Sequence, residues 1–365
     1  MKTTVKLICG ALLISANGVF AQHDSSKITA QNNPLTFSGY GEIYYQYDLN
    51  KPADNNRPGF IYSHNRHNEF NLNLGFLKAT YNTDKVRANI ALAAGTYMNA
   101  NYATETGVMK NVYEANAGIK LGKKNLWLDA GIFPSHIGFE SAISKDCWAL
   151  TRSILADNSP YYEAGAKLTY TTNNGKWLLS ALALNGWQRI KRVDGNSMMS
   201  WGTQLQYKPS GKVILSYSSF IGTDKPDSVR QLRHFHNLYG IFNLTDKIAL
   251  TAGVDIGAEQ KAKKSKTFNT WFAPVLILKL QTGSKSNIAA RVEYYNDKNG
   301  VIIFSNTSNG FKTWGASLNY DHAVAANMLW RIEGRMLSAK DRIFIKDSKP
   351  VNTDFFLTTS LAISL

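Results

Sequence analysis

Apolar and polar residues alternate strictly in several long stretches of the chain, and this period of two is the feature that most constrains the fold. The alternation runs through residues 86–94, 113–121, 162–170 and 328–336. Side chains on a β-strand point in turn to opposite faces, so each stretch predicts a strand with one apolar and one polar face. Helices need a period of 3.6 residues, so these stretches do not favour helices.

The connections between the predicted strands alternate between short and long. Short turns rich in Gly, Asn, Asp or Pro are predicted at 82–84, 122–125, 173–175, 209–211, 245–246, 283–284 and 321–326. Longer polar connections are predicted at 49–67, 98–109, 134–160, 186–199, 222–229, 258–267, 296–310 and 338–352. This order predicts an all-β fold, a closed antiparallel transmembrane barrel of about 16 strands with short periplasmic turns and long external loops.

Aromatic residues favour this barrel over a soluble β-sandwich, which would explain the alternation equally well. The apolar face is predicted to carry one set beside the short turns, Tyr170, Tyr207, Phe242 and Tyr320. A second set lies beside the long loops, Tyr45, Tyr47, Tyr113, Tyr162, Trp201, Phe272, Tyr294 and Phe355. Membrane interfaces select two such belts of amphipathic rings.

The N-terminal residues predict export. A short basic start, an apolar stretch from Leu7 to Phe20 and the small residues Val19 and Ala21 are typical of a secretory signal peptide, predicted at 1–21. A lipoprotein cut at Cys9 would leave almost no hydrophobic segment before it. We therefore predict an N-terminal periplasmic lead at 22–34 and one barrel domain at 35–365.

Composition excludes several classes of protein. After the signal peptide only Cys147 remains, so no internal disulfide can form. No later stretch of about 18 apolar residues predicts a transmembrane helix. The formal net charge of +15 suggests lipid headgroups or anionic solutes as partners. Nucleic acid is not expected, because an exported protein rarely meets it.

Three segments resemble the OmpL-like β-barrel porin-2 family. They are Gly39–Tyr45, Asn111–Gly118 and, most specifically, Asp129–Glu140 with its continuation at 151–154 and 158–165. The resemblance covers nearly the whole mature chain, although the second half matches only in pattern. It implies an outer-membrane pore of a Gram-negative bacterium for passive diffusion of small hydrophilic solutes or ions. It supplies no catalytic residues and no cofactor.

The third long connection, 134–160, is the longest and is unusually apolar for an exposed loop. A loop of such length in a compact fold is usually functional. The connection resembles the third loop of general porins, which folds into the barrel and narrows it. Its charged residues are therefore candidates to face the water column at a constriction: Glu140, Lys145, Asp146, Arg152 and Asp157. The alternative is an external cap that stabilises the rim.

Charged residues on the polar faces are the candidate lumen wall. The acids are Glu42, Glu114, Asp129, Glu163, Asp255, Glu293 and Glu333, and the bases are Arg87, Lys120, Lys167, Arg233, Lys279, Arg291, Arg331 and Arg335. The two signs nearly balance, so anion selectivity does not follow from the count. A basic wall facing an acidic loop would create a transverse field, and simple pairing of the charges is the alternative.

A closed barrel acting as a receptor or adhesin and an outer-membrane enzyme are the rival functions. No Gly-x-Ser-x-Gly elbow and no His-Glu-x-x-His zinc motif occurs, so no catalytic or metal site is predicted. His64 and His67 are expected to lie in a solvated first loop. Trimers are common among 16-strand porins, but strand alternation does not by itself identify a face for a homotrimer.

Overall fold

A computed structural model describes residues 33–365. The predicted signal peptide, 1–21, and all but the last two residues of the predicted lead, 22–34, lie outside the described residues.

Sixteen antiparallel strands close into a barrel, as the alternation predicts. The first half of the chain forms β1 (Leu35–Asp48), β2 (Phe70–Asn82), β3 (Val86–Ala94), β4 (Val112–Lys120), β5 (Leu126–Pro134), β6 (Tyr162–Thr171), β7 (Trp177–Leu184), β8 (Ser200–Ser210) and β9 (Val213–Gly222). The second half forms β10 (Arg233–Asn243), β11 (Ile248–Gln260), β12 (Phe268–Gln281), β13 (Ser286–Asp297), β14 (Phe311–Ala325), β15 (Met328–Ala339), β16 (Phe344–Lys346), β17 (Lys349–Val351) and β18 (Thr353–Ser364).

Each barrel strand pairs with its neighbours in sequence, and β18 closes the barrel against β1. The closing register runs from Tyr40 opposite Ser364 to Asp48 opposite Phe356. The short strands β16 and β17 pair only with each other and form a hairpin within the last long connection.

Helical segments occur only in the long connections of the described residues. They are α1 (Thr96–Asn101), α2 (Ile154–Asp157) and single 3₁₀ turns at Gly107–Asn111, Ser144–Asp146 and Asp227–Val229. The hydroxyl oxygen of Ser153 caps α2 by accepting from the N–H of Ala156 at 3.2 Å. In the third connection, 135–161, these turns fold the chain compactly between β5 and β6.

The two faces of each strand differ as the alternation requires, and β12 shows this most clearly. Phe272, Leu276 and Leu278 are exposed on the outer face, whereas Val275 and Ile277 between them are buried inside. Many other large apolar side chains are exposed around the barrel. An apolar outer band of this kind is what lipid requires and what water disfavours.

One predicted turn lies further along the chain than expected. The short turn predicted at 321–326 is instead part of β14, which continues to Ala325, and the chain reverses at 326–327. A register irregularity between Ala323 and Ala325 keeps β14 paired with β15 up to this point.

Aromatic rings line both rims of the outer face. Trp177 stacks on Tyr207 near the short turns, and Tyr294 packs against Trp314 near the long loops. The prediction was wrong for Tyr113 and Tyr162, which are buried. A register shift between Ala91 and Leu92 disturbs the alternation at the start of β4, and Tyr113 stacks on Phe76. Tyr162 stacks on Tyr102.

The strands from β3 to β7 are short, with eight to ten residues each. Their registers place five alanines side by side in one row across the outer face: Ala88, Ala117, Ala130, Ala166 and Ala183. On the opposite side of the barrel, β11 to β14 have 12 to 15 residues and carry large apolar side chains. The two sides of the outer surface therefore differ in strand length and in the size of their side chains.

Replacing Leu276 by Arg tests whether this outer face meets lipid. An arginine near the bilayer midplane should cost about 2–4 kcal/mol of unfolding free energy, falling to about 0–1 kcal/mol near an interface. Thr270→Arg on the same strand and the same face, close to the rim, is the matched control. Denaturant unfolding in lipid vesicles measures both variants. Equal costs at the two positions would contradict a membrane-facing wall, because a water-exposed surface has no dependence on depth.

Candidate pore and its third loop

Three arginines of β13 and β15 bind the backbone of the third connection, residues 135–161, which we call the third loop. Their guanidinium groups donate to its carbonyl oxygens: Arg291 to Thr151 at 2.7 Å, Arg331 to Cys147 at 2.9 Å and Arg335 to Arg152 at 2.7 Å. All three arginine side chains are buried. A buried carbonyl oxygen without a partner would be costly, and these donors remove that cost.

Acceptors on the same wall bind the N–H groups of the third loop. The pairs are Leu150 with Asn319 at 3.0 Å, Thr151 with Glu333 at 2.6 Å, Ile154 with Glu293 at 2.6 Å and Gly138 with Asn237 at 3.2 Å. Glu333 also accepts from Arg291 at 2.8 Å, and Glu293 accepts from Arg335 at 2.6 Å. The charged side chains of the wall therefore neutralise one another, and they also bind both the N–H and the C=O groups of the loop backbone.

Within the third loop, charged side chains close the loop upon itself. Glu140 accepts from the N–H of Ser153 at 3.1 Å and also from its hydroxyl group. Arg152 donates to the carbonyl oxygens of Ser141 at 2.6 Å and Leu150 at 2.7 Å. Burial raises the pKa of the Cys147 thiol to about 11, so this side chain stays a thiol at neutral pH.

Two glycines on the inner face leave room for side chains of the third loop. A Cβ atom on Gly253 would lie 2.7 Å from the ring of Phe139, and a Cβ atom on Gly202 would lie 2.8 Å from the ring of His136. Phe139 packs against Tyr239 with ring centroids 5.6 Å apart. His136 contacts Glu163 and the carbonyl oxygen of Ser219, both at 2.9 Å. Because these two glycines have no side chain, the wall has space there for His136 and Phe139 of the third loop.

The first long connection, 49–69, also folds onto the third loop. Ser63 donates to Asp157 at 3.1 Å, and Asn158 donates to the carbonyl oxygen of Phe60 at 3.0 Å. Its two histidines were predicted to be solvated, and this was wrong. His64 lies 3.1 Å from Glu42, and His67 accepts from the N–H of Asp48 at 2.9 Å. Both are buried because the connection turns inward and packs over the loop beneath it.

The five side chains predicted to face the water column do not share one environment. Glu140, Arg152 and Asp157 are buried and bind other residues of the loops, so they cannot face water as expected. At the tip of the loop, Lys145 and Asp146 are half-buried, and the Lys145 ammonium donates to Ser364 at 2.9 Å. Buried polar groups of a loop that packs against a wall need hydrogen-bond partners, and the three buried charged side chains supply these partners within the loops.

The predicted lumen-wall residues divide in the same way. Eight are buried, namely Glu42, Glu114, Glu163, Arg291, Glu293, Arg331, Glu333 and Arg335. Arg87 and Lys120 remain half-buried. These two lie with Lys78, Asn89 and Asn116 on β2 to β4, where the described residues show no hydrogen bond from the wall to the third loop. The loop is therefore bound mainly to β1 and β8 to β15, and water reaches the wall of β2 to β4.

Several functional residues of the inner wall were missed in the sequence analysis. Asn237 and Asn319 carry no charge, and Lys78 follows an irregular part of β2 where no alternation marks the inner face. Its ammonium group contacts both carboxylate oxygens of Glu114 at 2.9 Å. Glycines at inward positions, such as Gly202 and Gly253, were a usable signal because they interrupt the face where a loop docks.

Within 33–365, no cluster of three or more His, Cys, Asp or Glu side chains could hold a metal ion. In the same part of the chain, no helix has the length and apolar character needed to cross a membrane.

The family model described as "Putative beta-barrel porin-2, OmpL-like" matches residues 34–365. No curated protein matches the chain in sequence. The family match covers the barrel and all the loop contacts described above.

Solved structures of outer-membrane proteins share the fold. An anion-selective porin from Comamonas acidovorans has 11% identity and a TM-score of 0.60, covering 91% of this chain and 99% of that chain. The channel DcaP of Acinetobacter baumannii has 11% identity and a TM-score of 0.58, covering 91% and 97%. The trimer form of OmpT from Vibrio cholerae has 9% identity and a TM-score of 0.58, covering 91% and 99%. At such identities the likeness shows the fold alone.

The Asp157 carboxyl predicts how stability depends on pH. Burial raises its pKa from the usual 3.8 to about 7, against the opposing effect of Arg335. Between about pH 4 and pH 7 this carboxyl group is protonated in the folded chain and ionised in the unfolded chain. The free energy of unfolding therefore falls as the pH rises through this range. The fall should amount to a few kcal/mol, since one pKa unit corresponds to about 1.4 kcal/mol.

Asp157→Asn keeps the hydrogen bond with Ser63 and removes the titration, so its stability should not fall over this range. Denaturant unfolding at several pH values measures the difference, and Asp54→Asn in the exposed part of the first connection is the control. A wild-type slope that survives in Asp157→Asn would contradict this assignment.

Proposed function

Since the chain belongs to the OmpL-like putative β-barrel porin-2 family, we propose that it is an outer-membrane porin of a Gram-negative bacterium that admits small hydrophilic solutes by passive diffusion. The observation that carries the proposal is a closed barrel with a charged inner face, against one side of which a folded loop is bound. The family and the shared fold point to a channel and not to an enzyme.

The third loop, in this proposal, forms the constriction by filling one side of the lumen. Its apolar side chains are hidden against the wall, which removes them from water. Its backbone is held by buried charges of β13 and β15. Solutes then pass between the loop and the half-buried polar side chains of β2 to β4. The loop sets the width of the path, and its buried charges set the position of the loop.

Shortening the third loop between Ile137 and Leu155 tests the constriction. Removal of the segment should raise single-channel conductance, because water replaces the loop beside β13 and β15. Planar-bilayer recording in about 1 M KCl, where the Debye length is about 3 Å, limits the effect of altered charge.

Deletion of Lys263–Lys266 from an exposed connection is the control and should leave conductance unchanged. Both variants must still migrate differently on gels before and after boiling, as folded barrels do. Unchanged conductance in a folded variant without the loop would contradict the constriction. Absence of any current from the wild type would favour the receptor or adhesin function instead.

We propose, as a second point, that the barrel forms a homotrimer through the outer face of β3 to β7. The alanine row lets the backbones of two copies approach closely, which favours van der Waals packing in lipid. One fold relative, OmpT of Vibrio cholerae, is described in a trimer form. The low wall on this side exposes less apolar surface to lipid than the wall of β11 to β14.

Ala117→Trp tests this interface by placing a bulky ring in the row. The variant should not form the trimer and should sediment as a monomer in detergent. Leu278→Trp, on the outer face at the opposite side of the barrel, should remain trimeric. Analytical ultracentrifugation of purified protein measures both. A monomeric wild type, or a trimer that tolerates Ala117→Trp, would contradict the proposal.

A further inference from the structure

Burial separates the acids of the lumen wall from its bases. The seven acids predicted for the inner face are at most 6% exposed: Glu42, Glu114, Asp129, Glu163, Asp255, Glu293 and Glu333. Several bases of the same face are half-buried and reach water: Lys78, Arg87, Lys120, Lys167 and Lys279. The wall charges nearly balance in number, but those of the wall that are half-buried are basic.

Pairing increases this difference. Four of these seven acids pair with Lys or Arg: Glu114 with Lys78, Asp129 with Arg87, Glu293 with Arg335 and Glu333 with Arg291. Glu42 and Glu163 contact His64 and His136. Asp255, the seventh, accepts from the amide of Asn237 at 2.6 Å. Among residues 33–365, Lys120, Lys167 and Lys279 form no ion pair. Their ammonium groups therefore lie at half-buried positions of the wall without a carboxylate in contact.

Two ion pairs on β2 to β5 also present their positive ends to water. The Lys78 side chain is 17% exposed and its partner Glu114 is 7% exposed. The Arg87 side chain is 23% exposed and its partner Asp129 is 5% exposed. In both pairs the carboxylate lies deeper in the wall than the cation.

Aromatic rings support three of these cations without neutralising them. Arg87 lies 4.4 Å from the ring centroid of Trp127, the Lys167 ammonium lies 4.6 Å from that of Phe133, and the Lys279 ammonium lies 4.7 Å from that of Trp148. A cation over the face of a ring is attracted by the ring quadrupole. The side chains are held in place while the charge remains available to a solute.

The buried acids of the third loop bind serines and not the half-buried lysines of the wall. Glu140 and Asp157 bind Ser153 and Ser63. At the tip of the loop, Lys145 and Asp146 have opposite charges and are both half-buried. A basic wall facing an acidic loop, the transverse field that the sequence left open beside simple pairing, is not formed by these buried acids of the described residues.

We propose that the pore selects anions, and that its substrate class is small solutes bearing carboxylate or phosphate groups. The inference rests on the proposed porin function. A low-dielectric wall concentrates the potential of these cations along the water path and raises the local concentration of anions. Charged side chains that line a pore decide which sign of ion passes.

Reversal potentials across a planar bilayer test the proposal in a KCl gradient. With about 0.1 M salt on the dilute side, where the Debye length is about 10 Å, the wild type should favour chloride, with a chloride-to-potassium permeability ratio above one. The triple variant Lys120→Glu, Lys167→Glu, Lys279→Glu should bring the ratio below one. The neutral set, Lys→Gln at the same positions, should bring it close to one and guards against misfolding of the reversed variant.

The matched control reverses three exposed lysines in the short turns, Lys123→Glu, Lys212→Glu and Lys247→Glu, with the same change in total charge. Its permeability ratio should stay nearer to that of the wild type than to that of the lumen variants. A wild-type current without preference for chloride would overturn the anion selectivity and leave the porin function in place. A turn variant that shifts the ratio as far as the lumen variant would also overturn it. Absence of current would overturn the porin function and this inference together.

Discussion

Buried arginines and carboxylates of the barrel wall bind the backbone of a loop, and the arrangement of the lumen depends on this interaction. A folded loop inside a barrel has backbone N–H and C=O groups that form no hydrogen bonds in a β-sheet, and leaving them without partners costs free energy. Arg291, Arg331 and Arg335 supply donors, while Glu293 and Glu333 supply acceptors. Because the same charges neutralise each other, the wall can bury them without an unpaired ion.

The loop converts one side of the lumen into a packed core and leaves the other side wet. Phe139 fills the space beside Gly253, and Ile277 and Val275 are buried on the same side of the barrel. On β2 to β4 the inner side chains of Lys78, Arg87 and Lys120 are half-buried. In the proposed porin, the core around the loop supplies stability, and the wall of β2 to β4 lines the path of the solute.

Barrel closure, the strand count and the faces of regular strands could be predicted from the sequence because they follow from a local period of two. The bulge that turns Tyr113 inward could not, because it depends on the register between β3 and β4. The third loop could be recognised by its length and apolar character. The roles of Glu140 and Arg152 could not, since a charged side chain of a loop faces water or the loop's own backbone according to how the loop folds. The wall partners of the loop backbone, such as Asn319 and Glu333, lie about 170–180 residues away in sequence, and no local pattern marks them.

The seam between β1 and β18 has a consequence for the order in which the molecule assembles. The groups that bind the third loop lie on strands from both ends of the chain, with Glu42 on β1 and Arg331 and Arg335 on β15. Before β18 joins β1, the two ends of this binding surface are held together by no strand pairing. The loop, although made early, has no complete place to dock until the last strand is paired. Complete docking of the loop therefore requires closure of the seam between β1 and β18.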